Sequence, residues 1–496
     1  NHSEAKFCFV ATKELYSIIH SIKELLPNLV GIYTFEEVED APNWNEILSL
    51  GEDDSTQYEV DVVKDLINPD SVLTIIYTSG TTGVPKGVVL THNNIVSNVL
   101  ATNNAFPKFS ELGVENPVAL SFLPINHIFE RVCIYWNIYR NVSVYYAESI
   151  EKISDNLAEV KPHVMTAVPR LLEKVYNKII KKGESAGGIK TKLFMSAVNM
   201  VKDLEPFTQD EKGFLFKLKY AFLNKLIFSK WAEALGGNLA VIICGSAALS
   251  PKLVKIFYGA GIPIAEGYGL TETSPVISLN TPKKEGFCLG SVGKILDNLD
   301  VKIAEDGEII LKGPSVFSEY FKDPINTKEA FNEQGYFKTG DIGVIDSNGF
   351  LKITDRKKSM FKTSGGKYIA PQIIENEMKL IPFVEQVIVV GDGEKMACAI
   401  VQPNFDNIKD WASVNEKNIF NEEQIANSLE VKEIILKDLE KVNANLGSWE
   451  KIKDIQLTPI AWTIENDLLT PTMKVKRKNV MDKFSDLYKK LYPDTI

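Results

Sequence analysis

The sequence predicts an α/β fold followed by a smaller second domain, and three observations carry that reading. Short apolar runs such as Ala240–Cys244 alternate with amphipathic stretches such as Pro251–Tyr258, the rhythm of strands layered with helices. After Phe350 the pattern changes to short charged strands and helices. The chain has 496 residues, more than a single hydrophobic core usually serves.

Along the chain, Lys6–Ala11 reads as a strand and Lys13–Leu26 as a helix, a start that resembles mid-domain sequence. Ser71–Tyr77 (SVLTIIY) reads as a buried strand that breaks into TSGTTGVPKG and resumes as the strand VVLTH. Arg170 to Gly236 reads as helical, with a loop at Lys181–Gly188 (KKGESAGG). Within it, Phe214–Trp231 is rich in aromatics and lysines and has the composition of a membrane-surface helix. Stepped at about 100° per residue, Lys217, Lys219, Lys225 and Lys230 scatter around that helix, which favours a buried or partner-packed helix instead.

Bulk composition removes several function classes. A net charge of −10 argues against generic nucleic-acid binding, while leaving room for locally positive anion sites. No run reaches the roughly 18 apolar residues of a spanning helix. Residues Asn1 to Val10 have neither a basic n-region nor a cleavage-type sequence. Cys8, Cys133, Cys244, Cys288 and Cys398 lie far apart without a CxxC pair, as in a reduced cytosolic chain rather than a disulfide framework or zinc site.

The chemistry-bearing segments come next. Tyr77–Gly87 (YTSGTTGVPKG) sets Thr78, Ser79, Thr81 and Thr82 among Gly80, Gly83 and Gly87, with Lys86 near its end. Glycines let a backbone approach an anion, hydroxyls and amides donate to it, and a lysine adds charge. It is not a Walker A loop, because Pro85 stands where that pattern demands glycine. A polar turn between two strands is the bland alternative, and it leaves so dense a cluster of hydroxyls unexplained. In Gly267–Thr273 (GYGLTET), Tyr268 offers an aromatic face for a purine, Thr271 a hydroxyl for phosphate, and Glu272 a hard oxygen ligand for Mg²⁺. Glu272 occupies the third glycine position of GxGxxG, so a dinucleotide fingerprint fails. Asp341, in FKTGD, can accept both hydroxyls of a ribose, and Arg356 can reach the same sugar or a phosphate. His127, in FLPINHIFER, is a candidate for the reacting centre, with a packed structural histidine as the alternative.

Together these segments resemble the adenylate-forming superfamily of acyl-CoA synthetases, luciferases and peptide-synthetase adenylation domains, in order from Ser71 to Lys478. The phosphate loop comes first. Gly245, Ser246 and Ala247, in CGSAALSP, resemble its adenine-pocket turn, with Gly267, Tyr268 and Gly269 in its adenine and magnesium motif. Asp355–Glu375 (DRKKSMFKTSGGKYIAPQIIE) is similar to its fatty-acyl signature, and LTPTMKVKRK to its C-terminal lysine motif, with Met473 replacing the usual glycine. VPRLLEKVYNKI at Val168–Ile179, the helical insertion after it and LGGNLAVIICGSAALSP resemble the long-chain branch.

The resemblance implies a large domain of stacked sheets and helices at residues 1–355, its N-terminal part absent, and a small mobile α+β domain at 356–496. It implies Lys358 as hinge, Lys474 as the catalytic lysine, and Gly365 on a strand that lines the channel for the pantetheine arm of coenzyme A. The expected substrates are ATP, a long-chain fatty acid and coenzyme A, with Mg²⁺ on Glu272. No obligate protein partner is implied. The expected location is cytoplasmic, with peripheral membrane association left open. Rival readings are a ligase for an aromatic or medium-chain acid, a carrier-protein adenylation domain, a non-catalytic acyl-binding scaffold, and a luciferase with a dedicated luminogenic substrate. The second leaves no room for a carrier after Lys478, and the third does not explain why Lys86, Glu272, Asp341, Arg356 and Lys474 occur together.

Overall fold

The computed structural model describes residues 2–78, 85–149, 151–357, 359–419, 421–470 and 473–493. They divide into two compact units, one of Asn1–Asn93 with Phe317–Thr327 and one of Asn94–Val316 with Lys328–Ile496.

In the first unit, strands Phe7–Val10 and Gly31–Thr34 pair in parallel around helix Lys13–Ser21, which Thr12 caps at its N-terminus. The predicted helix to Leu26 ends earlier, and its last turn is a 3₁₀ turn at Lys23–Leu25. Strands Val72–Thr78 and Lys86–Thr91 form an antiparallel pair with Thr78 opposite Lys86. Of the run expected to be a buried strand, only Ile76 is buried within the described residues; Val72 and Tyr77 are exposed.

The second unit is built on a seven-stranded sheet. Strands Ser143–Tyr146, Val118–Ser121, Val164–Ala167, Val241–Cys244 and Ile264–Gly269 run parallel in that spatial order. Antiparallel strands Val276–Leu279 and Lys294–Ile295 complete it. All four residues of Val164–Ala167 are buried, as expected of a parallel strand covered on both faces. Helices Pro169–Glu184 and Pro251–Gly259 each start with proline at the first turn, where its missing N–H costs nothing. Leu172, Phe228, Ile242, Leu253 and Phe257 make the core between helices and sheet. The expected loop at Lys181–Gly188 is shorter than read: helix Pro169–Glu184 runs into it, and the next helix starts at Gly188.

A four-stranded antiparallel sheet follows, of Asp300–Ile303, Glu308–Lys312, Phe337–Ile345 and Leu351–Arg356. Phe337, Thr339, Asp341 and Gly343 alternate inward along the third strand, which is how a carboxylate comes to lie on its buried face. Beyond residue 359 lies a three-stranded sheet of Val384–Val390, Cys398–Pro403 and Ile455–Leu457. It packs on helices Pro371–Met378 and Leu429–Asn443 through Val387, Val401, Ile435 and Ile455. All five cysteines are free thiols. No helix among the described residues is long and apolar enough to cross a membrane.

Candidate active site

The second unit brings together five of the residues singled out from sequence. Strand Ile264–Gly269 delivers Tyr268 at its end, and its closing glycine is required: a Cβ on Gly269 would stand 1.7 Å from the Pro275 carbonyl oxygen. The Tyr268 hydroxyl donates to Asp341 Oδ2 at 2.7 Å. Burial and the neighbouring carboxylate push the phenol well above its usual range, so it stays a donor. Asp341 pairs across the sheet with Arg356, whose Nε lies 3.2 Å from Asp341 Oδ1. The Asp341 N–H also donates to Thr339 Oγ1 at 3.1 Å. Two neighbours therefore fix both carboxylate oxygens in place, and each oxygen keeps a lone pair for a ligand hydroxyl.

Lys474 faces this group from a short hairpin in which Leu469 bridges Val475. Its backbone N–H donates to Thr470 Oγ1 at 3.1 Å, and its carbonyl accepts from Thr470 N–H. Met473, where the superfamily has glycine, holds a left-handed φ of 61°. A side chain there costs about 1–2 kcal/mol of backbone strain, and Met473 offsets part of it by packing on the Ile388–Trp462 cluster. The Lys474 ammonium is pushed down to about 7, first by the positive charge of Arg356 and then by burial; Asp341 opposes the shift. Arg477 secures the chain beyond, donating to the Val389 carbonyl and to Glu375.

His127 caps helix Ile128–Tyr139, its Nδ1 accepting from Phe129 N–H at 3.3 Å. Burial and then Lys474 lower its pKa, so the ring is neutral with its proton on Nε2, where it can act as a donor. Thr271 and Glu272 share one 3₁₀ turn directly after the tyrosine strand, and Thr273 Oγ1 accepts from Leu270 N–H at 3.0 Å to close it. One carboxylate beside a hydroxyl fits Mg²⁺, which takes one or two protein oxygens and otherwise phosphate and water. No cluster of three or more acidic, histidine or cysteine ligands occurs among the described residues.

Gly245, Ser246 and Ala247 form the turn after strand Val241–Cys244. A Cβ on Gly245 would stand 3.3 Å from the Phe129 ring, and Ser246 adopts a φ of 72°. The Ser246 Oγ is buried without a partner, so it can accept or donate to a ligand. Gly267 precedes Tyr268 in the same strand. Gly365 does not join the group: it lies in the exposed turn between Phe361–Lys362 and Tyr368–Ile369, not on a strand.

In the first unit, Lys86 Nζ donates to Asn326 Oδ1 at 2.5 Å and lies 5.0 Å above the Tyr320 ring. Ser79, Gly80, Thr81 and Thr82 lie outside the described residues, as does Lys358. Sequence reasoning missed Thr339, Asn326 and Lys379, the last at the C-terminal end of helix Pro371–Met378, where its charge also lowers the Lys474 pKa. Thr339 had a signal, because it shares the inward face of its strand with Asp341. The other two reach their places through tertiary packing alone.

A tyrosine, an aspartate and an arginine are joined into one polar group with a lysine opposite, which together offer the kinds of acceptor and donor that sugar hydroxyls and phosphates require. The AMP-binding enzyme family matches residues 1–321, and its C-terminal domain family matches residues 359–495. This chain belongs to the AMP-binding enzyme family. Within it the chain falls in the long-chain acyl-CoA synthetase branch. It is 35% identical over 84% of its length to the long-chain-fatty-acid–CoA ligase FadD15 of Mycobacterium bovis, and spans 69% of that protein. It is 37% identical over 86% of its length to the peroxisomal long chain acyl-CoA synthetase 6 of Arabidopsis thaliana, and spans 61% of it. The fold is shared with the adenylation domain of a carboxylate reductase from Mycobacterium chelonae, with a TM-score of 0.72 at 20% identity, covering 99% of this chain and 73% of that one.

Changing Asp341→Asn removes the charge that fixes Tyr268 and offsets Arg356. The KM for ATP should rise at least tenfold, about 1.4 kcal/mol. The Lys474 pKa should fall further, because the one group raising it is gone. Steady-state kinetics across pH 6–9 check both.

Proposed function

We propose that this AMP-binding enzyme is a long-chain fatty acid–CoA ligase that works through an acyl-adenylate. The observation that supports it most is Lys474, a half-buried cation set against the Tyr268–Asp341–Arg356 group. Asp341 holds the ribose hydroxyls, and Arg356 and Thr271 face the α-phosphate. Glu272 would hold Mg²⁺, which when bound would neutralise charge on the phosphate oxygens. The fatty-acid carboxylate oxygen bonds to the α-phosphorus as the bond to pyrophosphate breaks. Lys474 stabilises charge on both reacting groups in that transition state. The thiol of coenzyme A then bonds to the acyl carbon, the carbon–oxygen bond to AMP breaks, and the thiol proton leaves to solvent. His127, neutral and with Nδ1 occupied by Phe129 N–H, has Nε2–H left to donate to the acyl oxygen.

A panel of carboxylates from acetate through aromatic acids to long fatty acids, with AMP and thioester both measured, tests this reading. Long-chain acids should give the highest kcat/KM. A better aromatic or medium-chain substrate would replace the acid while keeping the adenylation chemistry, and no AMP release with any acid would leave an acyl-binding scaffold.

One site serving two reactions calls for a moving part. In this reading the unit from about residue 356 is the mobile domain, Lys358 is its hinge, and Gly365 enters the channel for coenzyme A only after rotation. Proline fixes φ near −65° and restricts the residue before it. Lys358→Pro should therefore retain adenylation and lose thioester formation from supplied acyl-adenylate. Parallel decline of both half-reactions would instead make Lys358 an ordinary loop residue.

A further inference from the structure

The helix Phe214–Leu223, its continuation through a π turn at Asn224–Phe228 and the last segment Ser229–Ala234 are anchored from one side only. Leu223, Phe228 and Trp231 are buried, and the Tyr220 hydroxyl donates to the Gly259 carbonyl at 2.9 Å. The opposite side carries Phe214, Leu215, Leu218 and Phe222, exposed by 78%, 81%, 60% and 56%. Their spacing puts all four within an arc of about 100°. Of the buried or partner-packed helix expected from the scatter of its lysines, burial does not occur; Lys217 and Lys219 flank an exposed apolar stripe on its two sides.

That arrangement points to an occupant. Between Lys212 and Lys230 there are five lysines and no acidic residue, in a chain whose net charge is −10. Lys217 and Lys219 border the stripe, and neither they nor Lys225 and Lys230 form an ion pair among the described residues. Beside the stripe an open groove of about 630 Å³ runs against helix Gly188–Val201, lined by Met195, Met200 and Phe216 with Lys192 and Lys219. A protein partner would need acidic groups matched to each lysine. An anionic bilayer supplies diffuse negative charge above an apolar layer, which matches bare lysines around a bare apolar stripe without further specificity.

We infer that the face formed by Phe214, Leu215, Leu218 and Phe222 with Lys217, Lys219 and Lys225 docks on the surface of an anionic lipid bilayer. The apolar side chains enter the headgroup–acyl boundary and the lysines sit among the phosphates. The helix lies in the interface plane and does not span.

Co-flotation of the full chain with vesicles tests this, using phosphatidylcholine alone and an equimolar mixture with phosphatidylserine. No ATP or coenzyme A is present, so the result is independent of the ligase reading. The wild-type chain should float with the mixed vesicles, weakly with phosphatidylcholine, and less as salt rises. Leu215→Glu/Leu218→Glu and, separately, Lys217→Glu/Lys219→Glu should each lower binding at least tenfold, with circular dichroism and melting temperature unchanged because all four side chains are exposed. Equal binding by the wild type and both variants would overturn the proposal. So would absence of wild-type binding, or a concentration-dependent dimer that Leu215→Glu/Leu218→Glu abolishes while vesicles have no effect.

Discussion

Lys474→Ala should lower acid-dependent ATP–pyrophosphate exchange by about two to three orders of magnitude, the usual consequence of losing one preorganised charge at a reacting centre. Each tenfold is about 1.4 kcal/mol of transition-state stabilisation. Thioester formation from supplied acyl-adenylate should largely survive, because in that step the bond to phosphorus is already made. The environment of Lys474 adds a second readout. With no nucleotide present, Arg356 and burial hold its pKa at about 7, so at pH 8 most molecules carry a neutral amine. An arriving polyphosphate favours the ammonium and raises that pKa. ATP binding at pH 8 should then take up close to one proton, and affinity should weaken as pH rises above 7. Calorimetry in buffers of different ionisation enthalpy measures the proton directly, and Lys474→Ala should abolish the uptake. An unchanged proton count would mean that another group titrates; equal loss of both half-reactions would remove Lys474 from its assigned step.

Much of this centre was legible in the sequence, for a physical reason. Motifs that must approach a nucleotide closely are short, rich in glycine and local, so GYGLTET and FKTGD announce themselves without tertiary knowledge. Gly269 illustrates this: its Cα lies too near Pro275 for any side chain, and that constraint is written in the text as YG. What the sequence withheld is whatever depends on distant partners. The depressed pKa of Lys474 depends on Arg356, and the orientation of Lys86 on Asn326, 240 positions away. Exposure is equally hidden. Phe214–Phe222 and SVLTIIY both read as buried because apolar residues usually are, yet the first presents a stripe to solvent and the second buries only Ile76. The helical signature VPRLLEKVYNKI was read only as a mark of the long-chain branch. Its arginine turns out to have a structural assignment of its own.

Arg170→Met should impair adenylation more than thioester formation. Arg170 stands in the first turn of helix Pro169–Glu184, and its side chain is only 7% exposed. One guanidinium nitrogen lies 2.9 Å from Glu173 Oε2 of the same helix, and the other pairs with Glu385 at the start of strand Val384–Val390. Asn404 also donates to Glu385, at 2.9 Å, which fixes the carboxylate from the other side. The arginine thus joins the helix that carries the acyl-branch signature to the sheet beyond residue 359, in the same arrangement that sets Lys474 against Asp341. Neighbouring links of the same kind are weaker: Lys181–Asp410 is exposed, and Ser250 to Glu377 is a single bond of 3.2 Å. Removing one partner of a buried pair costs about 3–5 kcal/mol, because the remaining charges stay buried without compensation. Here Glu173 and Glu385 would lose their shared cation; Lys174, 3.9 Å from Glu385, compensates only part of the loss, so the cost falls toward the low end of that range. In the two-arrangement reading proposed above, rotation about a hinge near Lys358 would separate Glu385 from Glu173 and relieve that repulsion, so the penalty would fall on the adenylating arrangement. ATP–pyrophosphate exchange should drop about a hundredfold, while thioester formation from supplied acyl-adenylate should fall far less. Lys181→Ala is the control: an exposed pair is worth under about 1 kcal/mol and should leave both reactions unchanged. If Arg170→Met lowers both half-reactions by the same factor alongside the melting temperature, Arg170 holds the fold together and has no part in choosing between the two arrangements.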